Sequence, residues 1–275
     1  MNANLSADMN VEINMEDMAA IPGMADPVTG SMPGCLEVEG LTVSFDGFRA
    51  VDNLRLRVEP CELRVIIGPN GAGKTTLLDM ICGKTRPSAG KVVFDGHELS
   101  AMSEHEIVRT GVGRKFQTPS VYEDLTVFEN FEISLPHAQG ILRSVFFRRR
   151  ADIVARIHEV ADTVFLRDHL DDKAGRLSHG QKQWLEIGML LMQEPKLLLL
   201  DEPVAGMSPR ERELTADLLN RIAQGKSVIV IEHDMDFVRR IARKVTVLHQ
   251  GKLLSEGTVA QVQADQRVID VYLGH

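Results

Sequence analysis

Several kinds of protein are set aside by what this chain lacks. Three cysteines, Cys35, Cys61 and Cys82, are odd in number and too far apart for a C-x-x-C pair. They suggest neither a disulfide framework nor a zinc site, and they suit a reducing cytosol. Basic residues are outnumbered, 31 Lys and Arg against 39 Asp and Glu, for a net charge of −8. Nucleic-acid grooves are built from clustered Lys and Arg, so nucleic acid is not expected as a partner. No apolar run approaches the roughly 18 to 20 residues that cross a bilayer, so a membrane role has to come through other proteins.

The first 34 residues contain no Lys or Arg, five carboxylates (Asp8, Glu12, Glu16, Asp17 and Asp26) and six of the twelve methionines. They match neither a secretory signal nor an Arg-rich transit peptide, and read as a disordered acidic tail over residues 1–34. Beyond it, 44% hydrophobic and 25% charged residues over 275 positions suffice for a sizeable globular core of one or two domains.

What is present centres on Gly68-Pro69-Asn70-Gly71-Ala72-Gly73-Lys74-Thr75, which satisfies G-x-x-x-x-G-K-[ST] at each fixed position. Arg64 to Ile67 reads as a buried strand, and Thr75 to Ile81 as a helix with Leu77, Leu78 and Ile81 on one side. A glycine-rich turn between strand and helix aims successive N–H groups at phosphate oxygens, and the helix N-terminus adds partial positive charge. Lys74 is expected on the β- and γ-phosphates, and the Thr75 hydroxyl on the Mg²⁺ that accompanies a nucleoside triphosphate. Thr76, next in line, belongs to the same expected site.

Before this loop, Leu36, Val38 and Leu41 to Phe45 alternate like a half-solvated strand, and Leu54, Leu56 and Val58 like its antiparallel partner. Phe45, at the end of the first strand, is either an edge aromatic or a ring that stacks on the base. Lys91 to Phe94 with Asp95-Gly96 gives a strand and turn. Residues of about 118–176 differ: Leu125 to Leu135 and Ala151 to Val164 have helical spacing, which reads as a helical insertion. Phe146 and Phe147 followed by Arg148, Arg149 and Arg150 are either a headgroup-contacting patch or a solvated helix face.

Leu197 to Leu200 is a continuous apolar run of the kind buried on both faces of a parallel sheet, and it delivers Asp201 and Glu202 to the strand's carboxyl end. Asp201 suits the Mg²⁺ shell, and Glu202 suits proton abstraction from an attacking water. Val228 to Ile231 repeats the pattern and ends in Glu232-His233. Val245 to His249 and Lys252 to Ser255 flank Gln250-Gly251 as a hairpin, and residues 259–275 read as helix. The fold class expected is α/β, a mixed sheet around a phosphate-loop core, with an N-terminal antiparallel β part and a helical insertion.

Leu177-Ser178-His179-Gly180-Gln181, lying between that insertion and Asp201, resembles the signature motif of ATP-binding cassette (ABC) transporters. The likeness extends over about Leu36 to Gly274, with the family's markers in order. Phe45 stands as the base-stacking aromatic and Gly68 to Thr75 as the phosphate loop. Gln117 stands as the glutamine that senses metal and γ-phosphate, followed by the signature, Asp201 and Glu202, and His233 as the switch histidine. The resemblance implies an ATPase that uses Mg²⁺ and works as a sandwich of two subunits. ATP on one is completed by Ser178, Gly180 and Gln181 of the other, with Glu202 polarising water and His233 on the γ-phosphate. It also implies two membrane permease subunits that meet the helical insertion, a periplasmic solute-binding protein, and a place on the cytoplasmic face of the inner membrane. A soluble cassette ATPase of translation or repair normally carries two cassettes or a coiled-coil arm. A GTPase switch should show N-K-x-D, which is absent from the sequence.

Two positions depart from the family pattern. His179 replaces the second-position glycine of the signature. Ala205-Gly206-Met207-Ser208 stands where many members have a segment ending in Asp, so Ser208 brings no carboxylate. Gly113 to Gln117 and Glu202 to Met207 look like the branched-chain amino acid importers. Within that group Leu177 to Met189 and the closing Arg267 to Gly274 are most similar to the urea importer subunit. Urea or a short-chain amide is therefore the expected solute, with branched-chain amino acids as the alternative.

Overall fold

The computed structural model describes residues 34–115, 121–136 and 151–273. The acidic segment before Gly34, Gln117, and the patch from Phe146 to Arg150 lie outside the described residues.

Two sheets share the molecule. Strands β1 (Leu36–Phe45), β2 (Phe48–Val58), β4 (Ala89–Phe94) and β5 (His97–Glu98) form an antiparallel sheet in the order β2-β1-β4-β5. The other sheet has the order β10-β9-β3-β8-β7-β6, from β3 (Leu63–Ile67), β6 (Val112–Lys115), β7 (Leu197–Asp201), β8 (Ser227–Ile231), β9 (Lys244–His249) and β10 (Lys252–Gly257). Its pairings are parallel except β9 with β10, the hairpin that Gln250-Gly251 closes. Helices α1 (Lys74–Ile81), α2 (Glu104–Arg109), α3 (Val127–Ile133), α4 (Ala151–Thr163), α5 (His179–Met192), α6 (Pro209–Ile222), α7 (Met235–Ile241), α8 (Val259–Ala264) and α9 (Gln266–Leu273) complete the described elements, with three short 3-10 turns. The architecture is the expected mixed α/β core with an antiparallel β part. Within 118–176 the described elements are α3, α4 and two of those turns.

Strand alternation divides the interior into two cores. On β7, Leu198 and Leu200 point into the core shared with the helices, while Leu197 and Leu199 point into the one beneath the antiparallel sheet. Val228 and Val230 on β8 face the first, and Ile229 and Ile231 the second. A strand buried on both faces must be apolar throughout, which is why these runs lack polar alternation. Each such side chain contributes about 1.5–3 kcal/mol of transfer free energy, fixing the register that brings Asp201 and Glu202 to one sheet end.

Arg64 breaks the apolar rule on β3 and is fully buried. Its guanidinium donates to Glu62 (2.6 Å), Thr246 (2.9 Å), Glu256 (2.5 Å) and the Arg57 carbonyl (2.8 Å). A buried charge is tolerable only when paired and hydrogen-bonded in this way. The C-terminal stretch expected to be helical is helical as far as Leu273, in two segments, α8 and α9. At Asp265 the backbone turns extended (φ −75°, ψ 115°), and its carboxylate accepts the Arg267 N–H at 3.0 Å. That local bond competes with the helical ladder.

Candidate functional site: a phosphate cradle at the end of the parallel sheet

The loop from Gly68 to Gly73 crosses from the end of β3 to the start of α1. A Cβ on Gly68 would lie 2.2 Å from the Leu248 carbonyl oxygen, and one on Gly73 would lie 2.4 Å from that of Ala50. No side chain fits at either place, so the glycines permit the loop to nestle between β2 and β9. Asn70 to Thr76 line a cleft of about 250 Å³ together with Phe48, Ala50, Asp201, Glu202 and Ile231. Gly68 and Pro69 stand behind it and present their carbonyls to Lys74 Nζ, at 2.8 and 3.1 Å. Burial pulls the Lys74 pKa down, opposed by the charges of Glu202 and Asp201. The Tyr272 side chain on α9 reaches the Gly68 backbone, which opposes the rise that desolvation gives its pKa.

At the sheet end the expected catalytic and metal residues meet. The Thr75 hydroxyl donates to Asp201 Oδ2 at 3.1 Å. The other oxygen, Oδ1, is buried with no hydrogen-bond partner. Burial is the largest influence on the Asp201 pKa, which is raised, while Thr75, Arg114 and Lys74 act to lower it. A buried carboxylate oxygen without a partner, next to a hydroxyl, fits a hard cation such as Mg²⁺. Among the described residues no group of three His, Cys, Asp or Glu could hold a metal by itself.

Glu202 has a positive φ of 49°. For a non-glycine residue this is strained by about 1–2 kcal/mol, and such strain collects at functional positions. The conformation is held by its N–H, which donates to the Ile231 carbonyl at 3.0 Å. Its Oε1 lies 3.4 Å from His233 Nδ1. Two residues expected to share the γ-phosphate region, distant in sequence, are thus neighbours. Beneath them Glu232 is buried, with Oε2 accepting the His233 N–H at 3.1 Å and Oε1 lacking a partner.

Phe45 does not line the cleft; Phe48 does. The two are register partners across the β1–β2 turn and both are exposed. Gln117 lies outside the described residues. Ser178, Gly180 and Gln181 are not among the cleft residues and sit at the start of α5. Ser178 and Gln181 form a reciprocal capping box, with the Gln181 N–H donating to Ser178 Oγ at 3.1 Å and the Ser178 N–H donating to Gln181 Oε1 at 2.9 Å. Sequence reading missed Phe48, Ala50 and Ile231 in the lining, and it missed Glu232 and Glu211. The one sequence signal that could have found any of these is the Ser208-x-x-Glu211 spacing, a capping-box pattern.

Comparison with known proteins identifies the chain's relatives. Residues 51–205 match the ABC transporter family model, and residues 252–275 match that of the branched-chain amino acid ATP-binding cassette transporter. The chain is 36% identical over 251 residues to the high-affinity branched-chain amino acid transport ATP-binding protein BraF of Pseudomonas aeruginosa, covering 87% of this chain and 97% of that protein. It is 35% identical, with the same coverage, to the LivG protein of the same description from Escherichia coli K12. A nucleotide-free ATP-binding cassette from an ABC transporter superposes with a TM-score of 0.75 at 30% identity, covering 88% of this chain and 100% of that one. The ADP conformation of the cassette MJ1267 gives 0.77 at 30% identity, covering 88% and 99%. The chain belongs to the ABC transporter family, as an ATP-binding, ATP-hydrolysing importer subunit of the LivG- and BraF-like group.

Proposed function

We propose that this ATPase works as one half of a nucleotide sandwich on the cytoplasmic face of the membrane, beneath two permease subunits and fed by a periplasmic solute-binding protein. Among the described residues no helix is long and apolar enough to cross a membrane. Force has to pass through contacts with permeases, which we assign to the segment between Gln117 and Ser178. The second ATPase subunit is a related chain or another copy of this one.

The observation that carries the catalytic reading is the meeting of Glu202 with His233 at 3.4 Å, at the sheet end that also joins Thr75 to Asp201. In this reading the triphosphate lies along Asn70 to Thr76, and Lys74 turns from the Gly68 and Pro69 carbonyls to the β- and γ-phosphates. Thr75, Asp201 and Gln117 would hold Mg²⁺, which neutralises phosphate charge when bound. Glu202 accepts a proton from water as its oxygen bonds to the γ-phosphorus. The bond from that phosphorus to the β–γ bridging oxygen breaks, and ADP leaves with the electron pair. His233 orients the γ-phosphate, and a phenylalanine at the β1–β2 turn, Phe45 or Phe48, stacks on the base. Ser178, Gly180 and Gln181 complete the site of the facing subunit.

For the solute we favour branched-chain amino acids over urea. The urea expectation rests on Leu177 to Met189 and the closing segment, none of which would touch a solute. BraF and LivG are named for branched-chain amino acid transport and align along 87% of the chain. The test is deletion of the gene in its host, followed by uptake of labelled leucine and labelled urea at micromolar supply. Loss of leucine uptake alone supports the assignment. Loss of urea uptake alone overturns the solute and leaves the ATPase in place.

A further inference from the structure

The two departures from the family pattern meet in the structure. His179 Nε2 donates to the Ala205 carbonyl at 3.1 Å, and a Cβ on Gly206 would lie 3.2 Å from the His179 ring. Three residues beyond Ser208, Glu211 accepts both the Ser208 N–H and its hydroxyl at Oε2, each at 2.8 Å. The other oxygen, Oε1, accepts the hydroxyl of signature residue Ser178 at 3.1 Å. A Cβ on Gly180 would come within 2.4 Å of that same Oε1, so the carboxylate lies against the first turn of α5. The Ser208 backbone N–H, chiefly, holds the Glu211 pKa below its ordinary value, so the group is anionic at neutral pH.

A serine hydroxyl has one proton to donate. It goes to Glu211 or to a phosphate oxygen, and both anions would claim the same partly positive helix start. We propose that Glu211 competes in its own chain for the Ser178 hydroxyl, so that ATP on a facing subunit has to displace a carboxylate before the signature engages it. Glu211 is then a positioning residue that sets nucleotide affinity at the facing site. The carboxylate missing at Ser208 is supplied three residues later and directed at the signature of the same subunit. The inference rests on the reading that Ser178 and Gly180 complete another subunit's ATP site.

The test is steady-state ATP hydrolysis by the assembled transporter carrying Glu211→Gln. Glutamine retains an oxygen for the Ser208 N–H, as capping boxes allow, so the start of α6 is kept. The expected result is a KM for ATP lowered about three- to tenfold, the scale of one partly exposed charge-assisted contact, with kcat changed by less than about twofold. Any loss of folded protein is read from a melting curve and leaves KM intact, because KM does not depend on the amount of active enzyme. An unchanged or raised KM overturns the proposal. Ser178→Arg in the same assembly separates the two ideas: if it keeps wild-type KM and kcat, the facing-site reading itself fails. If Ser178→Arg abolishes turnover while Glu211→Gln leaves KM unchanged, only the competition fails.

Discussion

The Thr75 hydroxyl donates to Asp201 Oδ2 across 3.1 Å, tying the first turn of α1 to the last residue of β7. Asp201 keeps its second oxygen buried and without a partner, so the pair is arranged to share something that neither saturates alone. Thr75→Ala and Asp201→Asn are each expected to raise the Mg²⁺ concentration needed for half-maximal hydrolysis, by about 10- to 100-fold, the scale seen when a metal site loses a supporting group. The double variant should cost less than the two effects combined, because both act on one ion. Magnesium titration of ATP turnover checks this, and fully additive effects would separate the residues.

Lys74 Nζ is held by the Gly68 and Pro69 carbonyls inside the loop. Lys74→Ala leaves the backbone cradle but removes its cation. ATP affinity should fall by on the order of 10- to 100-fold, equivalent to losing about 1.5–3 kcal/mol of charge-assisted hydrogen bonding. Calorimetric titration with ATP measures it, and wild-type affinity would remove the loop from the site.

Glu232 is buried, and desolvation raises its pKa against the pull of the His233, Asp234 and Val204 amides. A carboxyl whose folded pKa is raised contributes stability that is fully present below its unfolded pKa and lost as pH rises through the folded value. Glu232→Gln removes that titration. The melting temperature of the variant relative to wild type should therefore climb as pH rises above the ordinary carboxylate range. A difference that stays constant as pH rises would show that Glu232 does not titrate differently on folding.

Much of this arrangement was legible in sequence, for identifiable reasons. The strand, loop and helix from Leu63 to Ile81 were readable because the phosphate-loop spacing and the buried leucines on either side agree. Leu197 to Leu200 and Val228 to Ile231 were readable because burial on both faces demands unbroken apolar runs. Phe48 was not, since its place in the cleft depends on the tight β1–β2 turn folding it back beside Phe45. The hold of Glu211 on Ser178 spans 33 positions and is set by how α5 and α6 pack. No periodicity encodes such a contact. The break at Asp265 was hidden because apolar spacing continues across it, and the deciding bond is a local carboxylate cap.

The most direct measurement runs ATP binding and ATP hydrolysis side by side on Glu202→Gln. Glu202 stands in the strained turn after β7, 3.4 Å from His233, and is assigned as the group that takes the proton from water. The account predicts ATP affinity within about twofold of wild type, together with hydrolysis lowered on the order of 10²- to 10⁴-fold, the range for loss of a general base. A variant that hydrolyses ATP at the wild-type rate, or one that loses binding in step with hydrolysis, would contradict it.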